Sequence, residues 1–453
     1  MISMTVLGIL GLLALFILLA LRMPVALSML GVGFIGTVIA NANKFINVGM
    51  ASDQAWARGW KIAYSNLAGE TFEAASNFNL LVIPMFVLMG NLAGVSKMSN
   101  DLFAAAYRWM GHLRGGLASA TIAACAGFAA LSGSSLASAV TMGRVALPEM
   151  KRYKYSDSLA TGSVAAGGTF GFLIPPSGGM IIYAVLTEQS IGRLFMAGVF
   201  PGVILTLLFI GAIYLVVARN PEAGPRGDRS GRADRLTALW RAVPILGVVL
   251  VTIGGMYTGF FTPVEASSVG AFLTFVVAAW RRSVSLEALR TVILQTMNAT
   301  ATVFLIIIGA FVFIPFMSLT ELPAQLVTIL TSLPIGDVGV LLVIILAYMI
   351  LGMFLESMAM LVLTIPVVIP IAIDLNWDLI WFGIIVVIVL EMGMISPPVG
   401  INVFIVKSIA PEVPMGQIFR GIWPFWFAMA GMIALLILFP QIALFLAQTI
   451  VGG

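Results

Sequence analysis

The chain has 453 residues, 60% of them hydrophobic and only 9% charged, with a formal net charge of +4. That balance excludes an ordinary soluble globular protein and fits a bilayer, where this length supplies about ten spans of ~20 residues. It also argues against a nucleic-acid binder, since no basic stripe alternates with aromatics, and one cysteine excludes an intramolecular disulfide.

The first apolar run, 4–21, has no basic residue before it and Arg22-Met23-Pro24 after it. A signal peptide carries its positive charge first, so this run is expected to be a retained span. A second span follows at 24–40. The segment 41–78, with Trp56 and Trp60 near Arg58 and Lys61, reads either as an interfacial helix on the outer surface or as a docking face for a partner. After a span at 79–95, His112 lies between Arg108 and Arg114 and reads as an interfacial residue; a lone histidine builds no metal cluster. Cys125, in an Ala/Gly-rich helix, reads as a small packing residue.

Residues 117–150 are apolar but interrupted at Leu131-Ser132-Gly133-Ser134-Ser135. Each half is too short to cross alone, so the segment reads as a re-entrant helical hairpin. The span 158–187 is broken at Gly171-Phe172-Leu173-Ile174-Pro175-Pro176-Ser177-Gly178. A Pro–Pro pair removes two backbone donors and moves the preceding residue out of helix. A span at 191–218 leads to a polar, Arg-rich linker at 221–240, then to spans at 242–260, 263–280 and 291–319. A second hairpin is expected over 339–373, interrupted at Leu351-Gly352-Met353-Phe354-Leu355-Glu356-Ser357. The span 379–409 breaks at Gly393-Met394-Ile395-Ser396-Pro397-Pro398-Val399-Gly400, and the last span is 421–447.

Charge gives the orientation. Arg219 to Arg241 holds six arginines against Glu222, Asp228 and Asp234, and Arg281, Arg282 and Arg290 follow two spans later. Both clusters are therefore placed in the cytoplasm. Counting back puts Arg22, Lys97, Arg108, Arg114, Lys151, Arg152 and Lys154 on the same side. The first hairpin then enters from the cytoplasm, and the second, bounded by Asp337, Asp374 and Asp378, enters from outside.

The Gly-x-x-x-Pro-Pro-x-Gly spacing occurs twice, 222 residues apart; Ser135 and Ser357, and Pro148 and Pro370, share that offset. Pro24-Val25-x-x-Ser28-x-x-Gly31 likewise matches Pro263-Val264-x-x-Ser267-x-x-Gly270. Pro24 begins its span inside and Pro263 begins its span outside, so the halves 1–220 and 241–453 read as an inverted repeat. The expected fold class is an all-α polytopic membrane protein with two hairpins and two broken helices.

Such breaks put freed carbonyls and N–H groups near the membrane midplane, where they serve a cation and an anion respectively. Hydroxyls of Ser132, Ser134 and Ser135 stand beside carbonyls near Gly171, Ile174 and Pro176; carbonyls near Gly352 face those near Gly393, Ser396 and Val399. Neutral oxygens suit a monovalent hard ion such as Na⁺, whereas a divalent site collects carboxylates. Gly162 and Gly198 read as close packing. Thr169 lies one turn before the first break, at the position that Glu391 takes in the second half. Glu356 and Glu391 are the deepest carboxylates, either coupling groups or structural acceptors for hairpin backbone or Ser357. Arg144 is placed to snorkel, and Glu149 and Glu265 sit where a cap or interfacial role suffices.

The run Ser132-Gly133-Ser134-Ser135, then Gly143-Arg144-Val145-Ala146-Leu147-Pro148-Glu149-Met150 and the Ile174-Pro175-Pro176-Ser177 break, resembles the large membrane subunit of tripartite ATP-independent periplasmic (TRAP) transporters. So do Gly352-Met353-Phe354-Leu355-Glu356 and Ser396-Pro397-Pro398-Val399-Gly400-Ile401-Asn402. The likeness covers nearly the whole chain; the family often has Asp where this chain has Glu356. What it implies is an elevator-type secondary transporter of small organic acids in the inner membrane, driven by a Na⁺ gradient. A periplasmic solute-binding protein delivers the substrate, and a small four-span membrane subunit, here expected as a separate polypeptide, buttresses the scaffold. Carried over by motif, one Na⁺ site falls on Ser132, Gly171, Ile174 and Pro176, and a second on Gly352, Gly393, Ser396 and Val399. Substrate falls near Ser134, Ser135, Ser138, Ser177, Gly178 and Ser357.

The competing readings are a stand-alone dicarboxylate elevator carrier that needs no binding protein, an intramembrane enzyme and a membrane scaffold. One His, one Cys and no HExxH leave an enzyme little to work with. Nothing in scaffolding requires matched breaks at mid-membrane.

Overall fold

The computed structural model describes residues 3–96 and 98–450; Lys97, used above for orientation, lies outside them. Regular structure among the described residues is helical throughout. In chain order the helices are α1 (Met4–Ala20), α2 (Val25–Asn47), α3 (Ser52–Ser76), α4 (Val82–Val95), α5 (Met98–Met110), α6 (Gly116–Ser132) and α7 (Ser135–Arg152). Then come α8 (Asp157–Gly168), the single turn α9 (Phe170–Leu173), α10 (Gly178–Leu186), α11 (Ile191–Arg219), α12 (Arg232–Tyr257), α13 (Pro263–Trp280) and α14 (Leu286–Leu319). The chain closes with α15 (Leu322–Thr331), α16 (Gly336–Gly352), α17 (Ser357–Asp374), α18 (Leu379–Met394), α19 (Ile401–Ile409), α20 (Met415–Leu438) and α21 (Gln441–Thr449). Among the described residues, nine helical stretches are long and apolar enough to cross a bilayer.

Short polar residues set the helix starts. Ser134, Ser156, Ser177 and Ser190 cap α7, α8, α10 and α11, each hydroxyl accepting from a backbone N–H three residues on. Thr262 and Glu265 form a reciprocal capping box with Pro263 at the first helical position of α13. That is the capping role expected for Glu265.

Contacts divide the chain into two compact units, each drawing on both halves of the sequence rather than following the halves 1–220 and 241–453. One comprises Met1–Leu80, Asn298–Ile344 and Met358–Leu379. Here glycine faces let helices close on one another: a Cβ on Gly33 would lie 2.7 Å from the Phe313 backbone, and one on Gly309 2.6 Å from the Ala26 carbonyl. Gly11 and Gly36 seat the Phe316 ring. Helix α3, read above as either an interfacial helix or a docking face, packs back along α2. Its small stripe Ala55, Gly59 and Ala63 is buried, and Gly59 meets the Val38 carbonyl. Trp60 and Tyr64 flank Phe34 at ring distances of 5.7 and 5.2 Å.

The other unit comprises Leu81–Met297, Ile345–Ser357 and Ile380–Gly453. Its tightest crossing joins α8 to α20, where Gly162 faces Gly421 backbone to backbone; Gly198 admits Met180 and the Leu173 carbonyl. Both glycines do the packing expected of them. Cys125 is fully buried against Gly167. His112 is half-buried, its Nδ1 without a hydrogen-bond partner.

Several expected boundaries move, two of them for a clear local reason. The linker read over 221–240 is shorter, because α12 starts at Arg232 with Gly231 as its N-cap and Asp234 in its first turn. The last span, read as 421–447, is two helices, since Pro440 cannot donate to a continuing helix and the chain turns at Phe439–Pro440.

Candidate functional site

The residues expected at the ion and substrate sites, with Glu356 and Glu391, all fall in the second unit. The first cluster joins the α6–α7 turn to the break between α9 and α10. Helix α6 ends at Gly133, whose φ of +57° lies in the left-handed region that favours glycine. A Cβ there would also approach the Pro176 carbonyl oxygen to 2.8 Å. Gly171 is held tighter still, since its Cβ would fall 2.3 Å from the Ser134 carbonyl carbon. The two segments are tied by Gly178 N–H donating to the Gly133 carbonyl at 3.3 Å.

Proline explains which carbonyls are freed. The i+4 donor to Gly171 would be Pro175 and that to Phe172 would be Pro176, and neither has an N–H. The Phe172 carbonyl recovers a partner in the Ser177 hydroxyl at 2.5 Å. The carbonyls of Gly171, Ile174 and Pro176 have no hydrogen-bond donor among the described residues. Ser132 Oγ lies at the same turn, 2.8 Å from Ser138 Oγ. The four residues expected around one ion therefore lie on segments that pack together, three of them with carbonyls that lack a donor.

The second cluster repeats the pattern with differences. Both Pro–Pro bonds, Pro175–Pro176 and Pro397–Pro398, are cis. A Cβ on Gly393 would fall 2.8 Å from Gly352 Cα, and Gly400 N–H donates to the Met353 carbonyl at 3.4 Å. The carbonyls of Ser396 and Val399 have no donor among the described residues, while that of Gly393 already accepts from Ser396 N–H at 2.9 Å. The Ser396 hydroxyl is committed too, donating to the Met392 carbonyl at 2.7 Å and accepting from Trp426 Nε1 at 3.0 Å. Only its carbonyl is left for a ligand.

Between these clusters lies Glu391, 1% exposed on α18. Ser357 Oγ donates to its Oε1 at 3.0 Å and also touches Met394 Sδ. Ser135 Oγ stands beside the same carboxyl, and neither it nor Glu391 Oε2 completes a hydrogen bond. Glu356 is only half-buried, so of the two acids Glu391 is the deep one. The serines expected at a substrate divide accordingly. Ser177 is used up within its break, accepting from Met180 N–H as well as donating to Phe172. Ser134 caps α7 while remaining partly exposed, and Ser135 and Ser357 gather at Glu391.

One residue was visible in the sequence only as part of a motif. Asn402, fully buried at the start of α19, has neither amide atom hydrogen-bonded. It shares a helix face with Val406 and Ile409, and Ile409 reaches the site of a Cβ on Gly143 of α7 at 3.1 Å. The two helices run the same way, as Lys151 and Glu412 meet further on at 2.7 Å. Two turns back from that contact Asn402 lies level with Leu136, beside Ser135. An asparagine ahead of the apolar run Val403–Val406, just after a break, was the available signal. Arg144 stays outside this group, exposed on the wall of a cavity of about 370 Å³ with Lys151 and Glu412.

The arrangement offers neutral oxygens, one carboxyl and one amide, and no group of three His, Cys, Asp or Glu among the described residues could hold a metal. Residues 12–442 match the sequence profile of the tripartite ATP-independent periplasmic transporter DctM component. The chain belongs to this family, the large permease subunits of TRAP transporters. The C4-dicarboxylate TRAP transporter large permease protein DctM of Pseudomonas aeruginosa is 34% identical over 84% of this chain and 88% of its own. The ectoine/5-hydroxyectoine TRAP transporter large permease protein UehC of Ruegeria pomeroyi is 32% identical over 81% and 86%. The fold is also that of the YdaH transporter of Alcanivorax borkumensis, with a TM-score of 0.61 at 17% identity over 85% of this chain and 90% of that one. As a TRAP large permease the protein is a multi-pass inner-membrane transporter component, not an enzyme.

Proposed function

We propose that this TRAP permease carries a small organic acid into the cell, coupled to the inward Na⁺ gradient through an elevator movement. A periplasmic solute-binding protein delivers the acid, and a small four-span subunit supports the permease. The observation that carries the reading is the pair of hairpin-turn and broken-helix junctions. At the first, the carbonyls of Gly171, Ile174 and Pro176 are stripped of donors beside Ser132. At the second, those of Ser396 and Val399 are stripped beside Gly352. Uncharged oxygens of this kind hold a monovalent ion without the carboxylates that a divalent one collects. Glu391, with Ser135 and Ser357 at its carboxyl, supplies polar atoms between the two junctions, where an acid and its ions meet, and Asn402 adds a buried amide. The inverted repeat 1–220 and 241–453 accounts for two such junctions in one chain. Relatives named for C4-dicarboxylates and for ectoine support a small organic acid as the cargo class.

Titration of the purified permease with Na⁺, followed by thermal stabilisation, tests this directly. Ser132→Ala is expected to weaken Na⁺ stabilisation by about tenfold in concentration while leaving expression intact. A Na⁺ response identical in wild type and Ser132→Ala, or no Na⁺ response at all, contradicts the assignment.

A further inference from the structure

A second site lies away from the transport machinery, at the end of α12 that carries the arginines. A cavity of about 630 Å³ is lined by Asp101, Trp240, Arg241, Val243, Trp280 and Arg281. Arg281 is committed: one guanidinium nitrogen pairs with Asp101 and another donates to the Arg241 backbone carbonyl at 2.8 Å. The Arg241 guanidinium has no acceptor among the described residues, so the lining keeps one unneutralised positive charge. Trp240 and Trp280 are 77% and 75% exposed at the rim. Indoles beside arginines at the end of two spans mark the membrane interface, and the positive-inside rule puts this end in the cytoplasmic leaflet.

Val243 lines this cavity and a second one as well. The same residue begins a groove of about 690 Å³ whose walls are almost wholly apolar, including Leu246, Leu250, Ile253, Met196 of α11 and Leu446 of α21. From Val243 to Tyr257 the groove follows α12 for about 21 Å, longer than the ~15 Å hydrocarbon depth of one leaflet, so it has room for an acyl chain along its whole leaflet depth. One positive charge at an interfacial pocket, with an apolar groove deeper than one leaflet starting at a residue the two share, suits the headgroup and an acyl chain of a single lipid.

We propose that this is a binding site for an anionic glycerophospholipid, its phosphodiester on Arg241 between the two indoles and an acyl chain along α12. The single charge matches one phosphodiester, which a partner's transmembrane helix supplies only with an acid at that level. Arg241→Ala removes the guanidinium but keeps the backbone carbonyl that holds Arg281, and Leu250→Trp fills the groove without touching the charge.

The test is native mass spectrometry of the full chain, purified in mild detergent, delipidated and then titrated with phosphatidylglycerol, phosphatidylcholine or inorganic phosphate. The expected result is one phosphatidylglycerol per chain, bound about tenfold more weakly by Arg241→Ala and by Leu250→Trp. Phosphatidylcholine should bind wild type more weakly, and inorganic phosphate at the same concentration should not displace the lipid. Equal retention by wild type and both variants overturns the proposal. Displacement by inorganic phosphate assigns the pocket to a free anion instead. A photocrosslinker at Val243 that captures a second polypeptide rather than lipid in membranes assigns the groove to a protein partner and also overturns it. Each variant's melting temperature, expected near that of the delipidated wild type, guards against loss of fold.

Discussion

Glu391 is the most deeply buried carboxylate at the candidate site. An acid 1% exposed, with one oxygen held by Ser357 and the other unpaired, is tolerated only where its surroundings or a ligand complete it. Ser357→Ala strips the last hydrogen bond from that carboxyl and is expected to destabilise the protein by about 1–3 kcal/mol, read as a lower melting temperature. Asn402 predicts the opposite sign. Its amide is buried and unpaired, so Asn402→Leu is expected to raise stability by about 1–3 kcal/mol while abolishing substrate uptake. A fall in stability together with unimpaired uptake contradicts a ligand-facing amide. The sequence displayed Glu391 because a carboxylate stands out among apolar residues. It hid Asn402's role because an asparagine next to a break reads equally as a helix-start residue.

At the scale of elements, the breaks were legible because proline acts through its own chemistry: it lacks an N–H wherever it sits. The two Gly-x-x-x-Pro-Pro-x-Gly runs thus located both broken helices, and the Ser-Gly-Ser-Ser run located the turn that packs on the first. What hydropathy failed to show were features set by packing or by polar helix formers. Arg232 to Trp240 is charged, yet it continues α12 because nothing in it breaks a helix once Gly231 and Asp234 start one. Helix α3 looked like a surface helix by its Trp and Arg residues, whereas its orientation is set by the small stripe at Ala55, Gly59 and Ala63. The junction itself makes a sharp prediction. Gly171→Ala puts a Cβ 2.3 Å from the Ser134 backbone and is expected to cost about 1–3 kcal/mol or more, with loss of transport. Gly211→Ala, on α11 with open space around it, is the control. It is expected to be neutral or stabilising by up to about 1 kcal/mol, as for any exposed helix glycine. Equal effects on melting temperature from the two substitutions contradict the close approach of turn and broken helix.

For the whole molecule, the sequence halves and the compact units do not coincide, and chain order alone could not show this. Residues 1–80 share a unit with 298–344 and 358–379, while the junctions, Glu391 and Asn402 all fall in the other. The halves are read from local motif matches, whereas a unit is defined by which helices pack together over long sequence distances. The account depends on Na⁺ as the coupling ion. The most direct test is uptake of the cognate acid by proteoliposomes holding the permease with its small subunit and binding protein. Under an inward Na⁺ gradient, at equal pH on both sides, the substrate should accumulate above its outside concentration, and collapse of the gradient should release it. Accumulation that ignores Na⁺ and instead follows an imposed pH gradient would contradict the account and make Glu391 a proton carrier.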